Sequence, residues 1–491
     1  MQDDKDLSAL QREWVRYMLR PESENAALLA SDMGLGKTRT ALMFAREGGY
    51  QVVLASVPLQ TIDGWETWAR VETPHLPVRR IENSIEGARA LADFQWRQAG
   101  VYFVTHQYWE RLAWTRKVAK RKGKEMVSKE DTGRWGGGGY LFIFDESHWG
   151  ANWQSWTNRA LMNVKADYAM SLSGTFAGDQ FDGAYGATRW LWPHRTDIVP
   201  KNIYDWRAKW ALTEYSHFAP RNQKTVGEKD PGAFVSSLPC YIRVETDLPA
   251  PIVKDVWVDL YPEQRRVYDE LEHRMVAWIE ENPLSADLTI TKIARQRQAT
   301  LAMPTLAFDG DELVSVDFEE DAESAKIDRL FQAIDGNDPE LGDLLVGEKL
   351  VIATDSQKFA RILTSRLNNR YGADIAREWS GKVKRDLRKD AKEQFINGSV
   401  RYLVGVPAAM GTGTDGLQHA SHIGVFMSRE NRRINNEQFV GRLNRKGQEK
   451  PVHIVSILAN NTVDTGQLSK QMQDAINMAK IQRKKARLER G

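Results

Sequence analysis

The string DMGLGKT, Asp32 to Thr38, follows the apolar run AALLA and leads into a helical stretch. A glycine-rich turn from a strand into a helix aims backbone N–H groups and the positive end of the helix at phosphate oxygens. It also constrains the fold, because a strand that feeds a helix in this way belongs to a parallel sheet with helices on its faces. Gly34, Leu35 and Gly36 make the turn. Lys37 can reach the β- and γ-phosphates, and Thr38 can place its hydroxyl on Mg²⁺. The general pattern asks for a further glycine five positions before Gly36, where this chain has Ser31.

The rest of the chain bears out an α/β reading. Short β-rich apolar runs alternate with helical stretches through QVVLASV (51–57), GVYFVTH (100–106), YLFIF (140–144) and YAMSLSG (168–174). The texture returns in KLVIATD, VRYLVGV, HIGVFMS and VHIVSIL, between Lys349 and Ala459. Continuous apolar strands separated by helices imply sheets covered on both faces, and two α/β lobes are the economical reading. Between them, long polar and aromatic stretches such as EQRRVYDELEHRMVAWIEE (263–281) predict helices, broken by proline- and aspartate-rich pieces.

DESH, Asp145 to His148, follows YLFIF directly, at the carboxyl edge of a buried strand where open parallel sheets bind ligands. Asp145 then reads as the carboxylate on the Mg²⁺ side, and Glu146 as the group that orients and activates water. LSGT follows at 172–175, and QFVGRLNRKGQ at 438–448. Arg442 and Arg445 lie three apart, so on a helix both would face one side.

DMGLGKT, DESH, LSGT and QFVGRLNRKGQ, in this order and spacing, resemble helicase superfamily 2, and within it the Swi/Snf-type DNA-dependent ATPases. The resemblance extends to VDLYPEQRRVYDEL, IARQRQATLAMP and SAKIDRLFQAI. It implies two RecA-like lobes with helical insertions between them. The expected division is 1–200 for the ATP-binding lobe, 201–335 for protrusions and connector, 336–462 for the second lobe and 463–491 for a basic helical tail.

The same resemblance implies roles. Lys37, Glu146, Arg442 and Arg445 would be catalytic, the two arginines reaching ATP from the second lobe. Gln11 in LSALQREWVRYML would read adenine, and Gly413 and Asp415 in MGTGTDGLQ would complete the ATP site. His148, Ser173, Gly174, Thr175 and Gln438 would couple hydrolysis to movement. Backbone-gripping loops would lie at Pro58, Thr105–His106, Thr354, Ser356 and Pro407–Ala408, contacts that position without reading sequence. ATP and Mg²⁺ are the implied cofactors. The implied partner is double-stranded DNA without sequence preference, in a compact bacterial- or phage-like motor. Asn444, where the family more often has histidine, and Phe176, where proline is usual, depart from the pattern.

Overall charge does not argue for nucleic acid, since 68 basic face 66 acidic side chains for a net charge of +2. Basic residues would have to be gathered locally. RKVAKRKGK (116–124), with Lys120, Arg121 and Lys122, and KIQRKKARLER (480–490) are such clusters, each readable as a phosphate-binding patch or as solvated charge. GGGG at 136–139 reads either as a hinge for the first cluster or as a turn into the next strand. The 17 tryptophans read as buried core or as base-stacking surfaces. Cys240, the only cysteine, excludes intramolecular disulfides and cysteine-based zinc sites. No apolar run spans a membrane, and the acidic start MQDDKDLSAL lacks a signal-like apolar region, so the expected location is the cytoplasm.

The readings to be weighed are a duplex-DNA translocase, a strand-separating helicase, and a nucleotide-gated DNA binder without turnover. A metabolic P-loop kinase leaves the second lobe unexplained.

Overall fold

The computed structural model describes residues 2–466 apart from 33, 122–123, 179, 216–220, 222, 282–285, 310–311, 382 and 412–415. The described chain forms two compact units, one holding 2–215 and 223–246, the other 247–466. The segment 201–335 is thus shared: its first part packs with the first unit, and the rest from 247 onward with the second.

The first unit is built on a seven-stranded sheet ordered Tyr241–Ile242, Ala26–Leu29, Tyr168–Leu172, Leu141–Phe144, Val52–Val57, Gly100–Thr105, Val78–Ile81. Every neighbouring pair is parallel. The strands Ala26–Leu29, Leu141–Phe144 and Val52–Val57 are buried along their whole length, as continuous apolar runs between helical layers require. Trp109, Trp135, Phe142, Phe144 and Trp190 form a ring-on-ring core on this sheet. Trp14, Trp65, Trp192 and Trp206 are also fully buried, so packing accounts for much of the tryptophan content. An antiparallel hairpin, Trp114–Arg121 with Lys124–Asp131, interrupts the sheet order before the DESH strand.

The glycines 136–139 form a turn into that strand and not a hinge. Arg97 donates to the carbonyls of Gly138 and Gly136 at 2.6 and 2.8 Å, and its guanidinium stacks on Phe94 and Tyr140. Gly137, Gly138 and Gly139 all have positive φ, which side-chain-bearing residues rarely adopt.

The second unit carries a six-stranded parallel sheet ordered Ile252–Val258, His453–Ala459, Ile423–Phe426, Leu350–Ala353, Tyr402–Gly405, Ala376–Trp379. Helices Pro262–Glu281 and Ala286–Leu301 follow its first strand, as the polar stretches predicted. Each unit is an α/β lobe, with a parallel sheet between helices. Antiparallel strand pairs, Ala211–Tyr215 with Gln223–Glu228 and Thr305–Asp309 with Glu312–Asp317, accompany the helices in the pieces that break them. Among the described residues no helix is long and apolar enough to cross a membrane. The expected basic tail lies outside the described residues from 467 onward.

Candidate nucleotide site

In the first lobe, the strands that end in the DMGLGKT turn, in SGT and in DESH are consecutive neighbours, with the SGT strand between the other two. Parallel pairing brings all three loops to one carboxyl edge, the ligand-binding edge of such sheets. Gly34 and Gly36 adopt φ of 84° and 72°, the left-handed conformation that turns successive N–H groups into an anion-binding concavity. Gly36 is the N-cap of the helix Lys37–Glu47, whose first-turn N–H groups have no partner within the helix.

Lys37 donates its ammonium to the carbonyls of Ser31 and Asp32 at 2.7 and 2.9 Å. Burial lowers its pKa, while the nearby carboxylates of Glu146, Asp145 and Asp32 pull the other way. Burial also raises the carboxyl of Asp145, and the like charge of Glu146 adds to it. Two donors oppose that rise at Asp145: the indole N–H of Trp65 at 2.9 Å and the backbone N–H of Glu146 at 3.0 Å. Trp65 is a residue the sequence reading missed, and its signal was hidden among tryptophans attributed to the core.

Glu146 itself is a non-glycine residue at φ 46°, a strained backbone of the kind that clusters at active sites. Its carboxylate lies 3.3 Å from His148 Nδ1. Beside it, Ser173 Oγ accepts from the N–H of Thr175 at 3.1 Å, which shapes the SGT turn.

Two observations test the fit to a nucleotide with a divalent cation. Gln11 is buried and donates Nε2 to the carbonyl of Gly36 at 3.1 Å, while its Oε1 has no partner. A buried acceptor held on the P-loop suits the exocyclic amine of adenine. Among the described residues no group of three or more His, Cys, Asp or Glu is placed to hold a metal. The donor set of Thr38 and Asp145 suits a cation that arrives with the triphosphate and takes its remaining ligands from phosphate and water.

The departures from the expected pattern have local explanations. The hydroxyl of Ser31 accepts the N–H of Val244 at 3.2 Å, a bond that glycine would forfeit. Phe176 is fully buried, its ring edge-on to Tyr241 with centroids 6.0 Å apart. Asn444 caps the end of its helix and donates to the carbonyl of Pro249 at 3.2 Å.

In the second lobe, the helix Arg433–Leu443 ends before Arg445, so the two arginines do not share a helical face. Arg442 is buried and donates through Nε at 2.9 Å, and also through Nη2, to the carbonyl of Gly411. Gln438 is buried against the same glycine. Arg445 is half-buried, beyond the helix terminus. Gly413, Thr414 and Asp415 lie outside the described residues.

The residues assigned to the track fall into two groups. Pro58, His106, Thr354, Ser356 and Pro407 are buried, Thr105 is half-buried and Ala408 is exposed. His106 presents no side chain to a phosphate. Its Nδ1 sits 2.7 Å from Ser56 Oγ, its ring packs on Phe144, and burial lowers its pKa to about 3. Thr105 and Ser356 cap their helices by accepting the N–H of Tyr108 and Phe359. Thr354 faces Ser428 at 3.2 Å. Ala408 offers only backbone, and its N–H donates to Glu430 at 2.8 Å. Lys122 lies outside the described residues, and for Lys120 and Arg121 only the hairpin backbone is described.

No protein-family model matches the chain, and no curated protein matches it. Among solved structures, it is similar to the SWI2/SNF2 ATPase core of Sulfolobus solfataricus in complex with double-stranded DNA. That match has 17% identity over 97% of this chain and 92% of the other, with a TM-score of 0.35. It is likewise similar to the SWI2/SNF2 ATPase core domain of the same organism, at 17% identity over 93% of this chain and 85% of that one, with a TM-score of 0.34.

Proposed function

We propose that the protein is an ATP-driven motor that translocates on double-stranded DNA and displaces or remodels what is bound there. The observation that carries this reading is the first lobe's single sheet edge, which gathers a P-loop lysine, the Asp145–Glu146 pair and the SGT turn. A second parallel-sheet lobe with its own arginine-bearing helix continues the same chain.

In this reading, Lys37 exchanges the carbonyls of Ser31 and Asp32 for the β- and γ-phosphates. The N–H groups of the Gly34–Gly36 turn hold the phosphate oxygens, and Gln11 takes the adenine edge. Glu146, steadied by His148, orients the attacking water and draws off its proton. Bound Mg²⁺, held by Thr38 and Asp145, would neutralise charge on the triphosphate. Arg445 meets the departing phosphoryl group when the second lobe closes, and Arg442 holds the carbonyl of Gly411 in place. Hydrolysis that needs closure turns chemistry into movement.

The test is steady-state ATP hydrolysis alone and with duplex DNA, single-stranded DNA or RNA, with Lys37→Ala as the blank. Strong stimulation by duplex alone, followed by displacement of a triplex-forming strand, is the expected result. Preference for single strands or RNA would replace this reading with a strand-separating helicase. ATP binding without turnover on any of them would point to a nucleotide-gated binder.

A further inference from the structure

The P-loop has a strap along its outer side. Beyond the short strand Tyr241–Ile242, the backbone stays zipped to residues 30–32. Ala30 N–H donates to the carbonyl of Ile242 at 2.8 Å and Asp32 N–H to that of Val244 at 3.0 Å. Thr246 N–H donates to the Asp32 carboxylate at 3.0 Å. At the centre of this strap, Arg243 turns a guanidinium that is 9% exposed towards the turn. Its Nη1 donates to the carbonyl of Ala30 at 2.6 Å and to that of Gly174, in the SGT turn, at 3.0 Å. Its Nη2 lies 3.0 Å from the Asp32 carboxylate, with Glu245 at 3.5 Å.

Residues 31 and 32 therefore serve two cations at once. Their carbonyls hold the ammonium of Lys37, and the side chain of Asp32 is held by Arg243. A carboxylate this close to the P-loop would compete with phosphate for Lys37 unless another cation occupied it, because a charge-assisted contact is worth more than a neutral one.

We propose that Arg243 is a positioning residue for the nucleotide site. By occupying Asp32, it leaves Lys37 free to trade loop carbonyls for the nucleotide's phosphates, and through Gly174 it ties the P-loop to the SGT turn. The inference rests on the reading of this edge as an ATP site, and it assigns a role to a residue over two hundred positions from the P-loop.

The test uses the full chain, equilibrium titration with a fluorescent ATP analogue, and thermal unfolding of each variant. Arg243→Gln strands the Asp32 carboxylate next to Lys37 and is expected to weaken binding about tenfold, the scale of one charge-assisted hydrogen bond. Adding Asp32→Asn to it removes the competitor, and the double variant is expected to recover to within about threefold of wild type. A purely structural strap predicts the reverse, since the second substitution removes further contacts. Equal weakness in the single and double variants, or wild-type affinity in Arg243→Gln, would overturn the proposal.

Arg243→Lys keeps a cation on Asp32 but cannot span all three acceptors. It is expected to keep nucleotide affinity while losing part of the rate, and its failure to bind would count against the proposal. If the wild type binds the analogue but duplex DNA gives no stimulation, only the motor reading falls. If the wild type binds no nucleotide, both fall.

Discussion

His106 shows how burial can reverse a residue's apparent purpose. In the string THQ it reads as a phosphate contact, yet the fold places it beneath Trp149 and against Phe144, bonded to Ser56. Burial holds its pKa at about 3, against 6.5 in the unfolded chain. Between those values the unfolded state binds the extra proton. His106 therefore contributes stability that is complete above about pH 6.5 and is lost as pH falls towards 3. His106→Gln keeps a hydrogen-bonding partner for Ser56 and cannot titrate. The prediction is that wild type loses stability relative to this variant as pH drops from 7.5 to 4.5, by up to about 1.4 kcal/mol per pH unit. Thermal unfolding of both proteins across that range is the measurement. Parallel curves would mean that His106 is accessible to protons in the fold. At the same scale, Gln11 shows the opposite outcome: a helical glutamine, surface-like by composition, is buried on Gly36 with one oxygen unmatched.

The helix Arg433–Leu443 separates two arginines that the sequence treats alike. Arg442 is inside the last turn and committed to the carbonyl of Gly411, whereas Arg445 lies past the helix end. Alanine at either position should therefore fail differently. Arg445→Ala is expected to lower kcat by about 10³, the lower end of what an arginine finger supplies, with nucleotide affinity nearly retained. Arg442→Ala should also lower the melting temperature, because it strips a buried carbonyl of its donors. Turnover and melting curves of both variants check this, and a stable Arg442→Ala protein would contradict it. Elements were legible where both faces are buried: all nine apolar runs became central or near-central strands. Several of those that escaped notice have weaker signals. Val78–Ile81 is an edge strand with two arginines, Tyr241–Ile242 is two residues long, and the hairpin 114–131 has charges where a core face would show alternation. The Arg243 strap was illegible for another reason. It joins residues over two hundred positions apart, and no local spacing encodes such a contact.

For the whole molecule, the question is where a chain of net charge +2 finds a grip on a polyanion. The hairpin of Trp114–Arg121 and Lys124–Asp131 is the best candidate, because its strands carry most of the basic cluster 116–124. Such a cluster can neutralise several phosphates at once. If the hairpin binds DNA, the effect must appear in salt dependence, because each neutralised phosphate releases counterions whatever the base sequence. Charge reversal at Lys120, Arg121 and Lys122 to glutamate should weaken duplex binding uniformly across sequences. It should also lower the slope of log affinity against log salt by about 2 to 3, one step of about 0.9 per phosphate contact. Titrations of wild type and the triple variant on two unrelated duplexes, at several salt concentrations, measure both. An unchanged slope would mark the hairpin as solvated and shift the search to the backbone N–H groups of the sheet-edge loops, which only substitution by proline removes.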